Sequence, residues 1–268
     1  MERVEIPETV RTIGDRAFEY CEALSEVVLP DSVGKIGKYA FSRCYQLRSL
    51  RIPSVTEICE GIFEYCTTLE TVTLSAKTWG IEERAFSHCS NLTKFDFPTS
   101  VALIGKEAFA YSGLEQLTLP ATIKTVKEGA FKGCGKLKKA DIQISSDMLT
   151  DEVFTECRRL EEVVFSGGGK RIENRLFCGF VSLKRVVLPD GIEQIGDEAF
   201  ADSGLEEIII PNSLQSIGRN AFYNCRNLVS LRFAGTEAEW KQVKKPYDDT
   251  LKTLETCNQI HFTDPSAR

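Results

Sequence analysis

Histidine is almost missing from this 268-residue chain, with only His88 and His261 present. Zinc sites gather four Cys, His or carboxylate ligands, and the sequence offers two distant histidines and no Cys-x-x-Cys pair, so no metal site is expected. No run of about 18 apolar residues occurs, which predicts no membrane insertion. No Gly-x-Ser-x-Gly elbow and no Ser/His/Asp set is present. The segment Ser166-Gly167-Gly168-Gly169-Lys170 lacks the spacing of a phosphate-binding loop, and Arg171 follows the lysine where Ser or Thr belongs. Together these absences predict no catalytic residue, no cofactor and no enzyme activity. A basic excess is missing too: Lys plus Arg is 33 against 39 for Asp plus Glu, a net charge of −6. Nucleic-acid binders need the opposite balance, so no nucleic-acid partner is expected. The opening Met1–Val10 stretch has no apolar core of signal-peptide length. A cytoplasmic setting follows if the chain is full length.

What is present is periodicity. Phenylalanine recurs at 18, 41, 63, 86, 109, 131, 154, 177, 200 and 222, in steps of 22 or 23 residues. Five residues before each Phe stands an aliphatic residue such as Ile13, Ile36, Ile58 or Ile195. Three after it stands Cys21, Cys44, Cys66, Cys89, Cys134, Cys157 or Cys225, or else Ser112, Phe180 or Ser203. A leucine follows, from Leu24 to Leu228, and then the period becomes two, as in Val27–Leu29 before Pro30 and Val186–Leu188 before Pro189. Alternation over about five residues, closed by proline, reads as a short strand. The Ile-x-x-x-Ala-Phe-x-x-Cys stretch reads as a turn or two of helix held by packing. One such unit cannot bury its own Leu, Phe and Ile, whereas stacked units bury a continuous apolar column. The pattern predicts ten turns over residues 1–235, with main strands in one long parallel sheet and short strands on the return side.

Residues 236–268 read as a C-terminal cap. Thr236 is placed to cap a helix from Glu237 to Lys245, with Trp240 and Val243 on Phe233, and Gln259 to Phe262 reads as a final strand. At the other end Val4 and Ile6 already occupy strand slots, so the chain is expected to be part of a longer array or to have its first edge shielded by a partner. The seven same-slot cysteines read as inert core thiols, because stacked side chains pointing one way approach poorly for a bridge. Cys59, Cys178 and Cys257 fall outside that slot, and Cys178 reads as the most reactive thiol.

The frame "IPETVRTIGDRAFEYCEALSEVVLPDSV" and the closing "FAGTEAEWKQV…NQIHF" resemble BspA-like leucine-rich repeats of bacterial and some protist surface proteins. The resemblance implies a mostly-β α/β solenoid: a leucine-rich-repeat right-handed superhelix with one long parallel sheet, return-side strands and helical turns. It also implies a non-catalytic binding or adhesion module at the cell surface or secreted, with its export signal absent from this chain. The expected partner is a protein of host extracellular matrix or of a neighbouring cell.

Strand alternation sets which residues such a partner meets. Outward charges are mixed: Arg3, Arg51, Lys94, Lys139, Arg185 and Arg232 against Glu5, Glu26, Asp96, Asp141, Glu162 and Glu207. Three successive turns place Val164, Val187 and Ile209 in one outward slot, flanked by Glu162, Arg185 and Glu207. An apolar patch with a charged rim has the anatomy of a protein interface, although β-branched residues also suit strands for their own sake. Trp79, in a loop slot, is a second candidate anchor. Tyr20, Tyr65 and Tyr111 share a slot two after the ladder Phe and are expected to pack between turns. The readings to be separated are therefore a protein binder, a structural spacer of a larger surface protein and a carbohydrate-binding module.

Overall fold

The computed structural model describes residues 2–143, 149–150, 152–246, 253–254 and 259–263. The chain forms two compact units, one of Met1–Leu137 with Glu152–Cys157 and one of Lys138–Asp151 with Arg158–Arg268. Both are parallel β solenoids of the 22- or 23-residue turn. In the first unit the main strands are β1 (Arg3–Glu5), β3 (Glu26–Val28), β5 (Ser49–Arg51), β7 (Thr71–Thr73) and β10 (Gln116–Leu119). Its return strands are β2 (Thr12–Ile13), β4 (Lys35–Ile36), β6 (Glu57–Ile58), β8 (Gly80–Ile81), β9 (Leu103–Ile104) and β11 (Thr125–Val126). In the second unit β12 (Lys139–Ile142), β13 (Glu162–Phe165), β15 (Arg185–Val187), β17 (Glu207–Pro211), β19 (Ser230–Ala234) and β20 (Gln259–Phe262) run in that order. The return side there carries β14 (Arg171–Ile172), β16 (Gln194–Ile195) and β18 (Ser216–Ile217).

The core is the phenylalanine column. Phe41, Phe63, Phe86, Phe109, Phe131, Phe154, Phe177, Phe200 and Phe222 are fully buried. In the first unit consecutive rings from Phe18 to Phe154 lie stacked with centroids 5.3, 5.8, 5.4, 5.1, 5.6 and 5.8 Å apart. In the second, Phe177, Phe200 and Phe222 follow at 5.6 and 5.4 Å. Each ring is covered by the rings of the adjoining turns, so burial is shared between turns.

The main face of the first unit is not one unbroken sheet, contrary to expectation. β1 pairs with β3 and β5 with β7, but residues 92–98 of the fourth turn form no strand. That turn holds Phe95 and Phe97 where its neighbours hold smaller aliphatic residues. Their rings make edge contacts of 4.8 to 5.6 Å with Phe109 and with each other. Two rings take more room than a Val–Leu pair and hold that backbone out of ladder spacing.

The expected helical turns are a second correction. The segment around each ladder Phe is a series of tight turns, not helix. The residues two before and two after the ladder Phe sit in the left-handed region. Examples are Arg16 and Tyr20 at φ 58° and 59°, and Glu198 and Asp202 at 53° and 55°. Such residues interrupt any right-handed helix. Their amides and that of the Phe are spent on the next turn instead. Arg16, Phe18 and Tyr20 donate to the carbonyls of Lys38, Ala40 and Ser42 at 2.8, 2.8 and 3.0 Å. The same bond joins Phe86 to Ala108 at 2.7 Å and Phe200 to Ala221 at 2.8 Å. The cysteine slot has its own ladder. Cys66, Cys89, Cys134 and Cys157 direct their thiols at the carbonyls of Phe41, Phe63, Phe109 and Phe131, at 3.0 to 3.2 Å. At the corner after the return strand, turns approach so closely that a Cβ on Gly105 would lie 2.6 Å from the Glu82 carbonyl carbon.

The C-terminal helix α1 (Glu237–Gln242) is shorter than the expected span to Lys245. Thr236 and Glu239 form a capping box, and Trp240 packs on Phe233 at 5.1 Å. The helix stops because the backbone leaves to extend the return ladder: Lys244 donates to Gln215 and accepts from Ile217, both at 2.9 Å. The Lys245 ammonium then donates to the Trp240 and Val243 carbonyls at 2.7 and 3.1 Å. The final strand β20 adds to β19 in parallel register, with Leu231 opposite Ile260.

Two stability outcomes follow. Phe109→Ala should destabilise by about 3–5 kcal/mol through the cavity it leaves, read from urea unfolding. Gly105→Ala should cost more than about 1 kcal/mol in the same assay, because its new methyl meets backbone that cannot swing aside.

Candidate protein-binding face

Two outward columns cross the main sheet of the second unit. The first runs Lys139, Glu162, Arg185, Glu207 and Ser230, each opposite the next. The second runs Asp141, Val164, Val187, Ile209, Arg232 and His261 in the same register. The sequence-predicted stripe is therefore contiguous, and its three aliphatic side chains are half-buried. At the usual strand spacing they span roughly 10 Å. In the first unit the corresponding slot shows only a lone aliphatic beside charge: Val28, 45% exposed, opposite Glu5.

The first column is an ion-pair chain. Lys139 meets Glu162 at 3.0 Å, and Arg185 joins Glu162 at 2.7 Å and Glu207 at 3.0 Å. Arg232 crosses from the second column to Glu207 at 2.8 Å. The Lys139 ammonium, with Arg185 behind it, holds the Glu162 carboxyl below the ordinary carboxylate range against the opposing effect of burial. The flank that sequence reading made of three charges is thus a locked chain of five. Lys139 and Arg232 carry its ends and were visible among the outward charges. What the sequence does not display is that Arg232 reaches across columns.

Trp79 does not belong to this face. It lies in the first unit beside return strand β8, 45% exposed. Its amide donates to Thr56 at 2.9 Å, and its carbonyl accepts from Ala102 and Leu103 at 2.8 and 3.3 Å. The tyrosine slot holds an unforeseen arrangement. Arg43 lies over the rings of Tyr20 and Tyr65 at 5.1 and 4.5 Å, and His88 is sandwiched between Tyr65 and Tyr111 at 4.3 and 4.8 Å. The Arg43 cation and the His88 ring, interleaved with the three tyrosines, thus bind five successive turns together, which accounts for the tyrosines as packing.

Nine described cysteines are unbridged, and Cys257 lies outside the described residues. Burial pushes the Cys44 thiol up to about 12 and raises Cys66 and Cys225. Cys21, in the outermost turn, is only half-buried. Cys178 is half-buried as well, and burial raises its thiol also, which disfavours the reactive thiolate. Among the described residues no group of three or more His, Cys, Asp or Glu is placed to hold a metal ion, and no helix is long and apolar enough to cross a membrane.

Stacked turns with an outward-facing parallel sheet and a repeated Leu, Phe and Cys frame define a leucine-rich-repeat solenoid. The pattern of the BspA type leucine rich repeat region matches residues 1–113, 80–206 and 170–244, and the chain belongs to that family. A leucine-rich repeat protein from Bacteroides ovatus is 24% identical over 98% of this chain and 84% of its own, with a TM-score of 0.51, a likeness of fold. A leucine rich cell surface protein from Faecalibacterium prausnitzii is 28% identical over 91% of this chain and 82% of its own, with a TM-score of 0.44. Comparison with curated proteins finds no match.

Arg185→Gln should lower stability by roughly 1 kcal/mol at low salt, and the loss should shrink at high salt because the chain is partly exposed. For His88, burial lowers the ring's pKa from 6.5. The unfolded chain then binds the proton more readily, so this contribution is present above about pH 6.5 and lost as pH falls below it. The acid-side decline in melting temperature between neutral and mildly acidic pH should be shallower in His88→Phe than in wild type.

Proposed function

We propose that the chain is a non-catalytic recognition module that binds a protein on the sheet face of its second unit and serves adhesion at a cell surface. The observation that carries this reading is the register of Val164, Val187 and Ile209. It makes one apolar strip against a chain of ion pairs whose charges already satisfy one another. Family membership supports a protein-interaction role and the surface setting. The mechanism is preorganisation: three hydrogen-bonded ladders fix the face before any partner arrives, so association costs little ordering entropy.

Val187→Glu places a charge at the centre of the strip while leaving the buried column untouched. Wild type and Val187→Glu, immobilised side by side, should differ when exposed to extracellular-matrix extract and bacterial lysate. A protein should be retained by the first and lost from the second, with unchanged melting temperatures. Equal retention by both, or retention by neither, overturns the assignment of this face. Loss of retention in Trp79→Ala with Val187→Glu unaffected would favour a carbohydrate-binding reading centred on the first unit.

A further inference from the structure

Of the seven asparagines in the chain, Asn91 alone begins an Asn-x-Ser/Thr triplet, Asn91-Leu92-Thr93. That triplet is the acceptor of N-linked glycan on the surface of exported proteins. A triplet buried or tied down by the fold could not carry one. Here Asn91 and Thr93 are both exposed, and neither side chain has a partner among the described residues. Nearby polar side chains of the same corner are spent on backbone. Thr68, in the Asn91 slot of the preceding turn, donates to the carbonyls of Tyr45 and Leu47 at 2.8 and 3.1 Å. Ser90 donates to the Thr67 carbonyl at 3.3 Å.

The corner also leaves room on the other side. In the next turn Leu114 follows Ser112-Gly113 directly, so that turn is one residue short and has nothing in the Asn91 slot. Gly113 closes the shortened corner without a side chain, its amide donating to the Cys89 carbonyl at 3.0 Å. Lys136, from the turn beyond, reaches across it to the Ser90 carbonyl at 3.2 Å and stops there. Leu92 is fully buried and pins the triplet with its two polar side chains outward. A transferase must hold the triplet clear of the core, so the sugar is added while the chain is still unfolded during export. The folded corner then has only to accommodate it.

Resting on the cell-surface setting proposed above, we propose that Asn91 carries an N-linked glycan. The donor is a lipid-diphosphate-linked oligosaccharide. The bond from Asn91 Nδ2 to the anomeric carbon forms, the bond from that carbon to the diphosphate oxygen breaks, and the amide proton passes through the transferase's base to the departing diphosphate. The glycan stands at the head of residues 92–98, the main-face stretch of the first unit that forms no strand. Beside that stretch lies β7, which among the described residues is laddered only to β5. An unpaired strand edge invites foreign strands, and a hydrated sugar chain at Asn91 obstructs their approach.

The test recovers the whole protein from its own cells and reads the peptide containing Asn91 by mass spectrometry, before and after a peptide N-glycosidase. A glycan mass should be present before treatment, and afterwards Asn91 should read as Asp. Asn91→Gln and Thr93→Ala should lose the glycan, and Thr93→Ser should keep it, with circular dichroism showing all three folded. Cleavage by a protease added to intact cells reports whether the chain is at the surface. A surface-exposed chain with Asn91 unmodified overturns the glycan and leaves the surface setting standing. A glycan that survives Asn91→Gln overturns it as well, since the sugar then sits elsewhere. If the chain is shielded inside intact cells and Asn91 is bare, both the setting and the glycan fall.

Discussion

A ladder phenylalanine has too few neighbours within its own turn. Its ring is covered only when the turns before and after supply their rings at stacking distance, and the rest of the molecule follows from that shortage. The 22- or 23-residue period brings each Phe back to the same point of the circuit. The left-handed residues two before and two after it turn the backbone so that three amides reach forward to the next turn. The thiol slot points a weak donor at the carbonyl of the previous ladder Phe. Each device adds a bond between turns, and none would be satisfied in an isolated repeat.

The same logic governs the surface. Charged side chains find partners mainly one turn away: Lys38 with Glu60, Arg84 with Glu107, Lys106 with Glu128, Arg175 with Glu198. A surface that pairs its charges along the axis leaves little net field to steer a ligand. In the second unit that pairing lapses into aliphatic side chains at the strip centred on Val187, the face proposed above for recognition.

The period, the Phe column, the return strands, the capping threonine and the stripe were all legible in the sequence, because each rests on spacing alone. The corner geometry was not. Ile-x-x-x-Ala-Phe-x-x-Cys has a helical distribution of apolar residues, and nothing in the residue types at Arg16, Tyr39 or Glu198 announces a positive φ. Gly61, Gly129, Gly133 and Gly179, in the same two slots, hint at it. The interruption at Phe95 and Phe97 was hidden for a different reason, since alternation reports which face a residue takes and not whether its bulk leaves room for a ladder. The ion-pair chain was half visible: its members stood among the outward charges, but side-chain reach decides which of them meet.

The alternation of sign along Lys139, Glu162, Arg185 and Glu207 has a consequence for how such a chain changes length. Removing the single turn that carries Glu162 would set Lys139 against Arg185, like against like, in a slot built for attraction. Removing the two turns that carry Glu162 and Arg185 would set Lys139 against Glu207 and restore opposite signs. The stacking core is indifferent to which turn is lost, so the apolar frame counts repeats one at a time while the charged column counts them in pairs. In this stretch the unit of duplication and loss that keeps the alternation of sign is the double turn.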